Sequence, residues 1–161
     1  MKYFLDTEFN GFGGDLLSLA LIREDNEAIY ITYKYDKPIV EWVRENVMPI
    51  MLSIPSPMPG MAYIDVGHHE GAAIIRQFLN QDPQKLPVIV ADWPDDIAYL
   101  CKALMTGPGM MASVDRIVFD YVSVDSWFEG KFVNGNTPEK AVQHNAYWDA
   151  QALRMVFHNE Q

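Results

Sequence analysis

The sequence predicts an α/β protein in which helices flank a mixed central sheet of three antiparallel N-terminal strands followed by parallel ones. Two observations predict it. The first third of the chain is rich in strand-forming residues punctuated by turn clusters, and the rest alternates helical periodicity with short apolar runs. Side chains from Tyr3 to Phe9 alternate between the two faces of a strand, and Asp15 to Ile22 and Ala28 to Tyr33 are dense in aliphatic and aromatic side chains. Asn10-Gly11-Phe12-Gly13-Gly14 separates the first two strands and Asp25-Asn26 the next two, so consecutive antiparallel hairpins are the economical arrangement. No Lys-Ser/Thr follows the glycines, which favours a hairpin loop over a phosphate-binding loop.

Pro38 to Val47 predicts a helix with Ile39, Trp42, Val43 and Val47 on one face. Four prolines between Met48 and Gly60 predict an irregular connection, and its methionines suit either a partner surface or a lid. Helices are expected over Glu70 to Asn80, Asp95 to Met105, Thr137 to Gln143 and Ala146 to His158. Pro87 to Ala91 reads as a strand covered on both faces, and Arg116 to Val122 as another strand. Gly107-Pro108-Gly109 breaks the chain between them. Nothing resembling a linker divides the 161 residues, so 1–161 is read as one domain.

No apolar run approaches the ~20 residues that span a bilayer. Asp6 interrupts the N-terminus before a signal-peptide core can form, so the expectation is a cytoplasmic protein with no membrane partner. The one cysteine, Cys101, excludes an intramolecular disulfide and a cysteine-based zinc site. Its apolar surroundings predict a buried, inert thiol. A net charge of −10 argues against broad electrostatic binding of duplex nucleic acid. It is compatible with gripping a strand end if bound cations face the phosphate.

The informative residues are acids placed where apolar side chains are expected. Strand periodicity puts Asp6 and Glu8 on the same face, where they repel unless a cation lies between them or one is protonated. Asp96 heads the apolar stripe of Tyr99, Leu100, Ala103 and Leu104, just after a buried-type strand, with Asp92 and Asp95 as rivals nearby. Asp149 heads a second stripe with Leu153, Val156 and Phe157. His144 lies five residues earlier, just outside a helix that Asn145 can cap. Other polar groups have ordinary readings. His68-His69-Glu70 reads as a polar helix start rather than a metal site, and Asp120 and Asp125 as solvated strand-end acids.

Taken in order, Asp6-Thr7-Glu8-Phe9, then Asp96-Ile97-Ala98-Tyr99-Leu100, then His144 with Asp149 resemble the three motifs of the DEDDh-group 3′–5′ exonucleases, of ribonuclease H-like fold. Within that group the chain is similar to the small mycobacterial-type 3′–5′ exoribonucleases, through His144-Asn145-Ala146-Tyr147-Trp148-Asp149-Ala150 and Glu41-Trp42-Val43-Arg44-Glu45-Asn46-Val47. Many relatives carry an aromatic residue before the second-motif Asp, where this chain has Asp95, so Asp95 remains a rival of Asp96.

The resemblance implies two Mg²⁺ or Mn²⁺ ions held by Asp6, Glu8, Asp96 and Asp149, with His144 as general base. Thr7 and Phe9 are then expected to contact the terminal nucleotide, though Phe9 equally suits the core. It further implies a homodimer and a nucleic-acid partner, an RNA 3′ end in the first instance. The alternatives are a DNA exonuclease of the same chemistry and a catalytically silent nucleic-acid-binding module.

Overall fold

The computed structural model describes residues 1–122 and 142–159. Its core is a six-stranded mixed sheet: β1 (Lys2–Phe9), β2 (Leu16–Arg23), β3 (Ala28–Tyr33), β4 (Gly60–Val66), β5 (Val88–Ala91) and, after a two-stranded hairpin of β6 (Met105–Gly107) and β7 (Met110–Met111), β8 (Val118–Tyr121). The strands lie in the order β4-β3-β2-β1-β5-β8. The antiparallel pairs β1–β2 and β2–β3 follow the two predicted hairpins. β5 lies parallel to β1, and β8 parallel to β5. The predicted α/β class with a mixed sheet is therefore present.

Of this sheet's strands, with β6 and β7 outside it, β4 is the one missing from the sequence reading. It runs parallel to β3 at the sheet edge, and most of its side chains are exposed, Met61 and Ile64 included. A strand that buries little carries no strong apolar signal, and the prolines before it mask its start. Gly60 opens it at φ 115°, and a Cβ there would lie 1.9 Å from the Ala28 carbonyl oxygen. Only glycine permits that approach.

Helices cover both faces of the sheet. α2 (His68–Leu79) and α3 (Pro94–Leu104) pack Ile75, Phe78, Leu79, Leu100 and Ala103 against Tyr3, Leu5, Leu19, Leu21 and Ile89. On the other face, α4 (Ala146–Asn159) sets Ala146, Trp148 and Ala150 against Ala20, Ile22 and Tyr30, and Leu153 against Phe4 and Val90. Strand alternation makes this division, because Tyr3 and Leu5 face one layer while Phe4 faces the other.

Helix α1 (Glu41–Asn46) is shorter than the predicted Pro38 to Val47, since residues 38–40 are extended before it. Val43 and Val47 are buried beside Leu17 and Met51 with Ile39 packed alongside, but Trp42 is 54 % exposed. The Met- and Pro-rich connection is pinned down. It opens with a 3₁₀ turn (Met48–Ile50), Tyr30 Oη donates to the Met51 carbonyl at 2.6 Å, and Trp148 Nε1 donates to the Ser53 carbonyl at 2.6 Å.

Cys101 is exposed, contrary to expectation, because the buried stripe of α3 runs through Asp96, Tyr99, Leu100, Ala103 and Leu104 and leaves position 101 outside it. Gly107-Pro108-Gly109 turns the β6–β7 hairpin rather than an open loop. His68 and His69 place their Nε2 atoms against the Met105 and Thr106 carbonyls of that hairpin, the second at 2.9 Å. The helix expected over residues 137–143 lies mostly outside the described residues, and positions 142 and 143 are not helical. Asp125 also lies outside them, while Asp120 is exposed on β8.

Candidate metal centre

Asp6 and Glu8 point from the same face of β1, opposite Ala20 and Ser18 of β2. That face is the one α4 covers, so Asp149 in the first turn of α4 meets them. One carboxylate oxygen from each of Asp6, Glu8 and Asp149 lies within 4.8 Å of the others. The same distance bound holds for Asp6, Asp92 and Asp96. These are the two carboxylate groups of metal-ligating geometry among the described residues, and Asp6 belongs to both.

The second group forms because β5 is parallel to β1 and hydrogen-bonded to it. Asp92 follows immediately on the last residue of β5, and Asp96 lies one helical turn further on, so both reach the carboxyl end of β1. Asp92 and Asp96 are 5 % and 2 % exposed. Asp95, the rival suggested by the motif, is in neither group, whereas Asp92 stands beside Asp96. Its position directly after a continuously buried strand was the signal for it.

Asp96 does not cap its own helix. Its Oδ1 accepts from the Thr7 backbone N–H at 3.0 Å and from Thr7 Oγ1 at 2.6 Å. Thr7 points to the opposite face from Asp6 and is buried, so its two donors hold Asp96 at the strand end. The N–H and hydroxyl of Thr7, a residue expected to meet a nucleotide, are thus engaged with Asp96. Phe9 is half-buried and stacks on Tyr99, with ring centroids 4.6 Å apart and 21° between planes.

Asn145 anchors the third motif. It is fully buried, and its Oδ1 accepts from the Tyr147 and Trp148 amides at 3.1 and 3.4 Å, the N-cap expected from its position. Its Nδ2 donates to the Ile50 and Met51 carbonyls at 2.7 and 3.2 Å, and its own N–H donates to Asp149 Oδ2 at 3.2 Å. One residue thus starts α4 and ties it to the Pro-rich connection through its side chain, and orients a carboxylate of the cluster through its backbone N–H. The capping role was legible in the sequence; the tie to residues 50 and 51 was not.

His144 occupies the left-handed region, φ 63°, and Trp42 presents its ring edge-on at 5.1 Å between centroids. Burial lowers the imidazole pKa below its ordinary value, so the ring is neutral at pH 7 and has a lone pair to accept a proton. Glu8 moves the other way. Burial first, and then the charges of Asp149 and Asp96, push its pKa up to about 8. Such a carboxyl stays protonated near neutral pH unless a cation offsets its charge. The donor set is all oxygen, which suits hard divalent cations such as Mg²⁺ or Mn²⁺. Each group could hold such an ion, and Asp6 would serve both.

Among the described residues no helix is long and apolar enough to cross a membrane. No protein-family model matches the chain, and no curated protein matches it significantly.

Proposed function

We propose that the chain is a two-metal-ion 3′–5′ exonuclease of the DEDDh type, acting on RNA ends. The observation that carries the reading is the sharing of Asp6 between two groups of three carboxylates. Strand order supports it. β3-β2-β1-β5-β8, with β2 alone antiparallel to the others, agrees with the ribonuclease H-like arrangement, and β4 is an added edge strand.

Asp6, Glu8 and Asp149 would hold one ion and Asp6, Asp92 and Asp96 the other. Such a pair supplies charge stabilisation at the attacking and leaving oxygens of an in-line displacement. Thr7 keeps Asp96 aimed at the cluster, and Asn145 does the same for Asp149. His144, neutral at pH 7, takes a proton from the attacking water. The water oxygen bonds to phosphorus, the P–O3′ bond to the penultimate nucleotide breaks, and the departing O3′ takes a proton from solvent. The products are a 5′-nucleoside monophosphate and a strand with a new 3′-hydroxyl.

The test is to incubate the protein with a 5′-labelled single-stranded RNA, and with DNA of the same sequence, in Mg²⁺ or Mn²⁺. The expected result is a ladder of products shortened from the 3′ end, abolished in Asp6→Asn. Faster shortening of the DNA would replace the ribonuclease reading with a deoxyribonuclease one. Cation binding by calorimetry with no cleavage of either strand would leave a binding module.

A further inference from the structure

The Asn145 backbone N–H orients the Asp149 carboxylate, so whatever holds Asn145 also places a member of the metal centre. Two backbone carbonyls of the Pro-rich connection hold its side chain. Ile50 accepts from Asn145 Nδ2 at 2.7 Å and Met51 at 3.2 Å. The Ile50 carbonyl is also fixed locally, because the Ser53 amide donates to it at 2.8 Å. Met51 closes the 3₁₀ turn, and a second donor to its carbonyl comes from β3. That donor is Tyr30 Oη, at 2.6 Å.

Tyr30 is a rigid anchor. It lies inside β3, which pairs with β2 on one side and β4 on the other, and it is fully buried among Ala20, Ala146, Tyr147 and Trp148. Strand register sets Asp6 opposite Ala20 and Ala20 opposite Tyr30, so the three share one row on the face that α4 covers. Burial above all raises the pKa of the Tyr30 hydroxyl, which keeps it protonated and a donor. A carbonyl oxygen has two lone pairs, and that of Met51 meets Tyr30 with one and Asn145 with the other. Loss of the tyrosine hydroxyl frees the turn on the side that Asn145 leans against.

We propose that Tyr30 is a positioning residue of the metal centre, acting through the Met51 carbonyl and Asn145 on Asp149. The path runs from the Tyr30 hydroxyl to the Met51 carbonyl, to the Asn145 side chain, and from the Asn145 N–H to Asp149 Oδ2. It ends on one carboxylate group only, because Asp149 belongs with Asp6 and Glu8 and not with Asp92 and Asp96. Tyr30 therefore acts on one cation and leaves the other alone, a selectivity that a general loosening of the fold does not produce. The inference rests on the reading of these carboxylates as a two-cation centre and is independent of the hydrolytic step.

Calorimetric titration of the whole chain with Mn²⁺ at pH 8 tests it. Wild type should bind two cations. Tyr30→Phe removes the hydroxyl and keeps the ring; it should weaken one cation severalfold and leave the other unchanged. Asn145→Ser keeps a capping oxygen but loses both donors to the connection. It should weaken the same cation about tenfold, and adding Tyr30→Phe to it should weaken binding little further. In Asp149→Asn the remaining cation should be insensitive to Tyr30→Phe. Tyr30→Phe should stay folded at the titration temperature, read by thermal melting in chelator; a variant unfolded there makes Tyr30 a residue of the fold alone and overturns the proposal. It is also overturned if Tyr30→Phe weakens both cations equally, or if its effect persists undiminished in Asn145→Ser or Asp149→Asn. Two cations bound by Tyr30→Phe as tightly as by wild type refute this inference and leave the centre standing, whereas no Mn²⁺ bound by wild type removes both.

Discussion

Glu8 is costly to ionise when no cation is bound, through its burial first and the charges of Asp149 and Asp96 second, and that cost is measurable. Its pKa of about 8 in the folded chain stands well above the ordinary 4.5. Between those two values the folded state holds a proton that the unfolded state has released. Stability therefore falls as pH rises from about 4.5 to about 8 and then levels off. At roughly 1.4 kcal/mol per pH unit, the full rise corresponds to a loss on the order of 5 kcal/mol, a large share of a typical domain's stability.

The perturbation is Glu8→Gln, which keeps the shape and removes the titration. Urea unfolding in chelator at a series of pH values from 5 to 9 is the assay. Wild type should lose stability steadily up to about pH 8 and little beyond it, and the variant should lose far less, ending the more stable protein at pH 9. Added Mn²⁺ should reverse the order at pH 8, stabilising wild type strongly and the variant weakly, because the cation needs the Glu8 charge. If the two chelated profiles superimpose, or if Glu8→Gln is the less stable protein at pH 9, the account of Glu8 as a buried acid crowded by Asp149 and Asp96 is wrong.

Further outcomes follow from the same geometry. Asp6→Asn should lower divalent-cation stoichiometry from about two to one or none, read by calorimetry, because Asp6 belongs to both carboxylate groups. His144→Gln should reduce turnover by roughly 10²–10⁴-fold while cation affinity stays near wild type. The wild-type rate should fall on acidification through a pKa below 6.5, a limb absent from the variant's profile. Thr7→Val removes the 2.6 Å donor to Asp96 and leaves the amide bond, so cation affinity should drop by about tenfold with little change in melting temperature. Asn145→Ala loses the cap of α4 and both bonds to the Pro-rich connection. Chemical denaturation should show a loss of about 2–4 kcal/mol.

What could be read from the chain alone rests on periodicity and local chemistry. Two-residue alternation put Asp6 and Glu8 on one face of β1, and 3.6-residue spacing put Asp96 and Asp149 at the heads of buried stripes. Asn145 announced itself as a cap by residue type and place, and the hairpins by their turn residues. The edge strand β4 stayed hidden because its exposed side chains carry no burial pattern, and Cys101 was misplaced because an apolar neighbourhood does not state which helix face a residue occupies. Only the tertiary structure decided that Asp92 joins Asp96, that Thr7 serves Asp96, that Glu8 resists ionisation, and that Asp6 is common to two carboxylate groups. Each of these depends on β5 lying beside β1 and on α4 crossing the face that Asp6 and Glu8 share. Periodicity orients a side chain relative to its own strand or helix. Which other carboxylates it meets is set by strand order and layer packing between segments some ninety to one hundred and forty residues apart.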